Sequence, residues 1–337
     1  AVVEHDGAAG EGDAHAAHRT QRRRNGGWHA RVVTQGYSAV EAARAIAVPS
    51  ADSDKYSRGV LGVVTGSEQF PGAAVLGVEA ASRTGVGMIR YLGPERPAGL
   101  VLARRPEIVT VDGRVQAWLL GSGTSPDRDA DERARLVGLL DQGLPVLLDA
   151  GSLDLVQEAK GPTVITPHFG ELVPVLHAVG VDVSTEDVAA EPERWAVRAA
   201  AETGVTVLLK GATTMVADAS GLRFAVRAGQ PWLATAGSGD VLGGILGALL
   251  ATHQPQLAEH PEDLADLAAA AAQALPLAQL VPLLVVDYAL FKICLARLVF
   301  QQRLIRRAHL VRPYGRGCLA AVLRRFPRRA GIYVSHV

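Results

Sequence analysis

The 337 residues carry 34 Lys and Arg against 34 Asp and Glu, with 48% hydrophobic and 5% aromatic residues. That composition belongs to a globular chain able to bury a sizeable core, and it excludes a disordered or collagen-like polymer. The two cysteines, Cys294 and Cys318, are too few and too unpatterned for a disulfide framework or a zinc cluster, which points to a reducing compartment.

Residues 1–50 are rich in Ala, Gly, His and Arg, including Arg22-Arg23-Arg24, and offer little that could bury a face. This stretch is expected to be disordered or loosely attached, with no apolar run of the kind a cleavable signal needs. The pattern changes at Lys55-Tyr56-Ser57-Arg58-Gly59. From there short apolar runs alternate with Ala-rich stretches of helical length, the mark of strands joined by helices in a parallel sheet. Residues 60–64, 89–91, 117–120, 146–148, 164–165 and 205–209 read as strands, and 73–82 as the helix after the first of them. Residues 214–217 and 223–226 read as a late antiparallel pair around Ser220-Gly221, and 241–251 as an unusually apolar, buried helix. A folded α/β domain is therefore expected over residues 51–275, followed by a basic segment of uncertain structure over 276–337.

That last segment holds a charge asymmetry. Beyond Asp287 there is no acidic residue but eleven Lys and Arg, which leaves 23 cations against 34 anions, a net charge of −11, in the rest of the chain. A solvated or poorly ordered terminus is the expected reading, and a nucleic-acid arm the sharper alternative. The apolar run at 274–286 is interrupted by Pro276, Gln279 and Pro282 and falls short of the ~20 residues that span a bilayer. A cytoplasmic protein without membrane or nucleic-acid partners is expected.

In open α/β sheets the loops after the strands build the site. Ala234-Thr235-Ala236-Gly237-Ser238-Gly239-Asp240 runs straight into the apolar helix. A Gly-rich turn at a helix start presents unpaired amides to an anion such as phosphate. Asp240 could take the proton of a hydroxyl attacking that phosphate, although a carboxylate beside a helix N-terminus is expected to be a weak base. Leu208-Leu209-Lys210-Gly211-Ala212-Thr213-Thr214 ends a strand with one of only four lysines, suited to phosphate oxygens. It is not a Walker A loop. Thr166-Pro167-His168-Phe169-Gly170-Glu171 offers His168 as a ligand donor or as a helix cap. Asp149-Ala150-Gly151-Ser152-Leu153-Asp154 offers Asp149 as a turn residue or as a ligand for hydrated Mg2+. Gly66-Ser67-Glu68-Gln69-Phe70-Pro71-Gly72-Ala73-Ala74 and Gly121-Ser122-Gly123 would let a flat substrate lie against the main chain.

This ordered series resembles the NAD(P)H-hydrate dehydratase family, the carbohydrate-kinase-related branch of the ribokinase-like fold, over about residues 52–252. The resemblance rests on Lys55 to Gly59, Phe70 to Ala74, Asp149 to Asp154, Thr166 to Glu171, Leu209 to Thr214 and Gly237 to Asp240. It implies a three-layer α/β/α fold with a mostly parallel sheet. The implied activity is dehydration of the S epimer of NADH or NADPH hydrated at C6, with ADP as co-substrate (ATP is possible), magnesium as cofactor, and a homo-oligomer as the assembly. Phosphorylating the C6 hydroxyl would make a good leaving group, and elimination would restore the dihydronicotinamide. By motif, Ala73, Gly123, His168 and Asp240 would contact the hydrated dinucleotide. Lys210, Gly211, Ala212, Thr213, Thr214 and Gly239 would hold the adenine nucleotide, with Asp240 as base. Gly121-Ser122-Gly123 departs from the family's Gly-Pro-Gly. A vitamin-precursor kinase of the same fold, and a non-catalytic nucleotide-binding protein whose basic tail engages nucleic acid, remain alternatives.

Overall fold

The computed structural model describes residues 35–227 and 231–280. The strands are β1 (Gln35–Gly36), β2 (Val60–Val64), β3 (Met88–Tyr91), β4 (Ala117–Leu120), β5 (Val146–Leu148), β6 (Thr163–Ile165), β7 (Thr206–Leu209), β8 (Thr214–Asp218) and β9 (Gly221–Val226). The helices are α1 (Ala39–Arg44), α2 (Gly72–Thr84), α3 (Glu95–Arg104), α4 (Ala130–Leu140), α5 (Phe169–Ala178), α6 (Thr185–Ala190), α7 (Pro192–Thr203), α8 (Ser238–Thr252), α9 (Gln254–Glu259) and α10 (Leu264–Leu280).

The strands form one sheet in the order β1-β9-β8-β7-β6-β5-β4-β2-β3. Pairing is parallel from β3 through β7 and antiparallel from β7 to β8 and β8 to β9, with β1 returning parallel to β9. The short unbroken apolar runs explain the parallel portion, because helices cover both faces and β2, β4, β5, β6 and β7 are buried throughout. Successive side chains alternate between those faces. Leu61, Val63, Leu119, Leu147 and Leu208 enter one core with α2, α8 and α10, while Val60, Val64, Trp118, Leu120, Leu148 and Leu209 enter the other with α4, α5 and α7. Trp118 is fully buried, and its indole N–H donates to Gln142 Oε1 at 3.1 Å, so its own donor is satisfied.

Helix α8 is buried along Leu242 to Ala251 because it lies between the sheet, α2 and α10. Its small residues allow the close approach: a Cβ on Gly244 would overlap the Gly77 carbonyl of α2. That contact fixes the N-terminus of α8 beside α2, and so positions the functional loops.

The structure departs from the sequence expectation at both ends of the domain. Within residues 1–50, Gln35 to Arg44 are not loosely attached. β1 hydrogen-bonds to β9, the Tyr37 ring meets Phe224 edge-on at 5.0 Å, and Ala42 of α1 is buried against the core. A two-residue strand and a six-residue helix carry no periodicity long enough to detect. At the other end α10 continues past residue 275 to Leu280 with Pro276 inside it. Residues 1–34 and the basic segment beyond 280 lie outside the described residues.

Candidate active site

The residues singled out in the sequence converge at the carboxyl ends of β2, β4, β5, β6 and β7, where main-chain hydrogen bonds carry the strand pairing on into the loops. Gly121 N–H donates to Val64 O at 3.0 Å, Asp149 N–H to Leu120 O at 3.0 Å, Thr166 N–H to Leu148 O at 3.1 Å and Lys210 N–H to Pro167 O at 2.8 Å. The loops are thus one continuous shelf.

Asp149 is the centre of that shelf, 4% exposed. Its Oδ2 accepts from Ser122 Oγ at 2.8 Å, and its Oδ1 from Thr166 Oγ1 at 2.8 Å and from Lys210 Nζ at 2.9 Å. The next residue, Ala150, sits in the left-handed region at φ 44°, a local cost of the kind that concentrates at functional sites. Sequence reasoning offered Asp149 as a turn residue or as a ligand for hydrated Mg2+. Here both its oxygens accept from protein donors, Oδ2 from Ser122 and Oδ1 from Thr166 and Lys210, so the carboxylate holds an ammonium in place.

Lys210 Nζ also lies 3.5 Å from Glu171 Oε2. Burial opposes its charge, but the carboxylates of Asp149 and Glu171 outweigh that and raise its pKa above the ordinary lysine range, so it stays protonated. The ammonium faces the start of α8, where a methyl on Gly239 would come within 3.6 Å of it. The loop before α8 turns through Gly237 at φ 90°, and a side chain there would press on Leu76 of α2 at 2.6 Å. The positive φ favours glycine there, while the exposed Leu76 tip could move aside. The exposed amides of this N-terminus and the Lys210 charge make an anion cradle.

Asp240 lies in the first turn of α8, and its carboxylate has no hydrogen-bond partner among the described residues. Its pKa is raised to about 6, chiefly by burial and further by the Asp149 charge, with Lys210 opposing. Sequence reasoning expected the helix N-terminus to make it a weak base; burial and the Asp149 charge act in the opposite direction. A carboxylate titrating near 6 is ionised at neutral pH and is a better proton acceptor than an ordinary aspartate.

His168 caps α5. Glu171 N–H donates to its Nδ1 at 3.2 Å, and its own N–H donates to Glu171 Oε2 at 2.8 Å. The capping role anticipated from sequence is thus present, and in the neutral ring it leaves the proton on Nε2 of a side chain 60% exposed. A ligand donor role is compatible with the cap. Ala73 and Gly123 meet across the β2 and β4 loops, since a Cβ on Gly123 (φ 68°) would overlap Ala73 Cβ and approach Phe70 O at 3.1 Å. Gly66 N–H donates to Ser122 O at 2.7 Å and ties these loops together.

Beside the cradle opens a cavity of about 510 Å3 lined by Lys210, Gly211, Ala212, Thr214, Ser238 and Gly239, with Val226, Leu233, Leu242, Ala272 and Leu275 as apolar walls. Five of the six residues expected at a nucleotide border it. Thr213 does not, and its Oγ1 instead accepts from Arg227 Nε at 3.2 Å. The apolar walls, like Ser122 and Thr166, were not foreseen as site residues. Lys55 to Gly59 lies at the opposite end of the sheet, where Arg58 Nη2 donates to Gly85 O at 2.7 Å and Gly87 N–H to Gly59 O at 3.0 Å. That motif pins β2 to β3 and does not reach the site.

Comparison with known proteins agrees with this geometry. The NAD(P)H-hydrate dehydratase family model matches residues 61–282. A bifunctional NAD(P)H-hydrate repair enzyme of Corynebacterium glutamicum is 42% identical over 65% of this chain and 40% of its own length, and one from Mycobacterium tuberculosis is 42% identical over 65% and 46%. The chain thus spans less than half the length of these relatives. An ADP-dependent (S)-NAD(P)H-hydrate dehydratase of Neisseria meningitidis is 35% identical over 60% of this chain and 73% of its own length. Among solved structures, the ADP/ATP-dependent NAD(P)H-hydrate dehydratase of Bacillus subtilis, co-crystallised with ATP and Mg2+, superposes with a TM-score of 0.64 at 23% identity over 80% of this chain and 99% of that one. A ribokinase-like protein of Enterococcus faecalis gives 0.61 at 24% identity over 78% and 94%. No described helix is long and apolar enough to cross a membrane. The fold is ribokinase-like, and the chain belongs to the NAD(P)H-hydrate dehydratase family.

Proposed function

We propose that the chain dehydrates the S epimer of hydrated NADH and NADPH at the expense of ADP, releasing AMP and phosphate. The observation that carries this reading is the meeting of Lys210, the α8 N-terminus and Asp240 on one shelf beside a partly apolar cavity. The nucleotide would place its base among Leu242, Ala272 and Leu275 and its phosphates between Lys210 and the amides of the α8 turn. The hydrated pyridine would lie across Ala73 and Gly123, with His168 Nε2–H available to its polar groups. Asp240 would take the proton of the C6 hydroxyl as the oxygen bonds to the terminal phosphorus and AMP leaves. Phosphate would then depart from C6 with loss of a ring proton, restoring NAD(P)H. A base with a pKa near 6 suits a loose phosphoryl-transfer transition state, in which the proton leaves late. Magnesium would enter with the nucleotide and offset the charge of the phosphates, with Asp149 as the carboxylate that would hold its hydration shell.

A vitamin-precursor kinase would share the cradle, but it would leave a stable phosphorylated alcohol. The test supplies hydrated NADH and ADP. Recovery of 340 nm absorbance with equal amounts of AMP and phosphate is the expected result, and accumulation of a phosphorylated hydrate without NADH would defeat the reading.

A further inference from the structure

Ser122 touches three parts of the site. Its main-chain oxygen accepts from Gly66 N–H of the β2 loop at 2.7 Å, its hydroxyl donates to Asp149 Oδ2 of the β5 loop at 2.8 Å, and a Cβ on Gly243 of α8 would stand 3.5 Å from that hydroxyl. The residue is 2% exposed. The two links differ in kind: the carbonyl link would survive any side chain, whereas the hydroxyl link needs the serine.

We infer that Ser122 is a positioning residue that locks the Asp149 carboxylate and thereby aims the Lys210 ammonium at the transferred phosphoryl group. Asp149 Oδ1 is shared by Thr166 and Lys210, so the carboxylate can swing about that edge unless Oδ2 is held. Ser122 is the only protein donor to Oδ2 among the described residues. The groups facing Asp149 are Ser122 from the β4 loop, Thr166 from the β6 loop, Lys210 from the β7 loop and, through its charge, Asp240 from α8. A carboxylate free to turn toward α8 would draw Lys210 off the phosphate position and bring a like charge closer to Asp240.

This inference rests on the proposed phosphoryl transfer, and its test separates the two. Ser122→Ala removes the hydroxyl and keeps the Gly66 link, so kcat should fall about tenfold, the scale of one hydrogen bond to a charged group, while KM for hydrated NADH stays unchanged. Ser122→Cys, nearly isosteric and a weak donor, should fall between Ser and Ala. A kcat equal to wild type in the Ala variant, or a parallel rise in KM for the hydrate, would overturn the role. If wild-type protein does not turn over hydrated NADH, the functional reading fails first, and Ser122 is then judged by ADP affinity in calorimetry. A roughly threefold weaker Kd in Ser122→Ala would support the inference, and an unchanged Kd would sink it.

Discussion

The two halves of the site recognise by different means. The half built from the β2 and β4 loops is shaped by main chain: Gly66, Gly123 and Ala73 approach so closely that no larger side chain fits between them. The half built from the β5, β6 and β7 loops and the α8 turn is shaped by charge, with Asp149, Glu171, Lys210 and Asp240 gathered beside one helix N-terminus. Shape alone suits a flat, nearly neutral ring, while charge suits a polyanion whose reacting group gains negative character. On the proposed function, the first half would take the hydrated dinucleotide and the second the adenine nucleotide.

Substitutions can break that division. The largest effect is expected at Asp240. Asp240→Asn should lower kcat about 10²–10⁴-fold, the usual contribution of a general base, with ADP binding retained in calorimetry. For wild type, kcat/KM should climb through pH 6 as Asp240 ionises, since its pKa is raised to about 6. Next comes Lys210→Met. It should weaken ADP binding without affecting hydrate binding, and it should destabilise the fold in urea by about 2–3 kcal/mol, below the 3–5 of a fully buried pair because Lys210 is 22% exposed. Gly123→Ala attacks the other half: the added Cβ meets Ala73 at a positive φ, so hydrate KM should rise about tenfold while ADP affinity holds. Equal losses on both substrates in either variant would erase the division.

The smallest effect concerns stability. Because folding raises the Asp240 pKa, the ionised carboxylate is less favourable in the folded than in the unfolded chain, and that cost appears as pH rises from about 4 through 6. Asp240→Asn should therefore melt at a higher temperature than wild type above pH 6, by about 1–3 kcal/mol of stability, and at the same temperature below pH 4. A difference that persists at low pH would mean that the gain comes from packing.

The charged half was legible in the sequence because its signals are local. Lys210-Gly211 ends a strand, Gly237 to Asp240 opens a helix, and their chemistry follows from neighbours a few residues away. What stayed hidden depends on long-range closure. Ser122 meets Asp149 27 residues on, and the apolar cavity walls come from β9, α8 and α10 together. Ser122 was visible only as a departure from the family pattern. For Asp240 the sequence showed the helix-end electrostatics but not the burial that raises its pKa, because desolvation depends on long-range packing. At the N-terminus, β1 has only two residues and takes its meaning entirely from a partner strand at the far end of the domain.

That strand has a practical consequence. A chain trimmed at residue 51, where the composition changes, would lose β1 and leave the main-chain groups of Phe224 and Ala225 unpaired along the border of the sheet. An uncovered strand border is a template for joining another molecule. Because Val226 of the same strand also walls the cavity, such a trimmed protein should self-associate there, with the nucleotide chamber distorted at its outer wall.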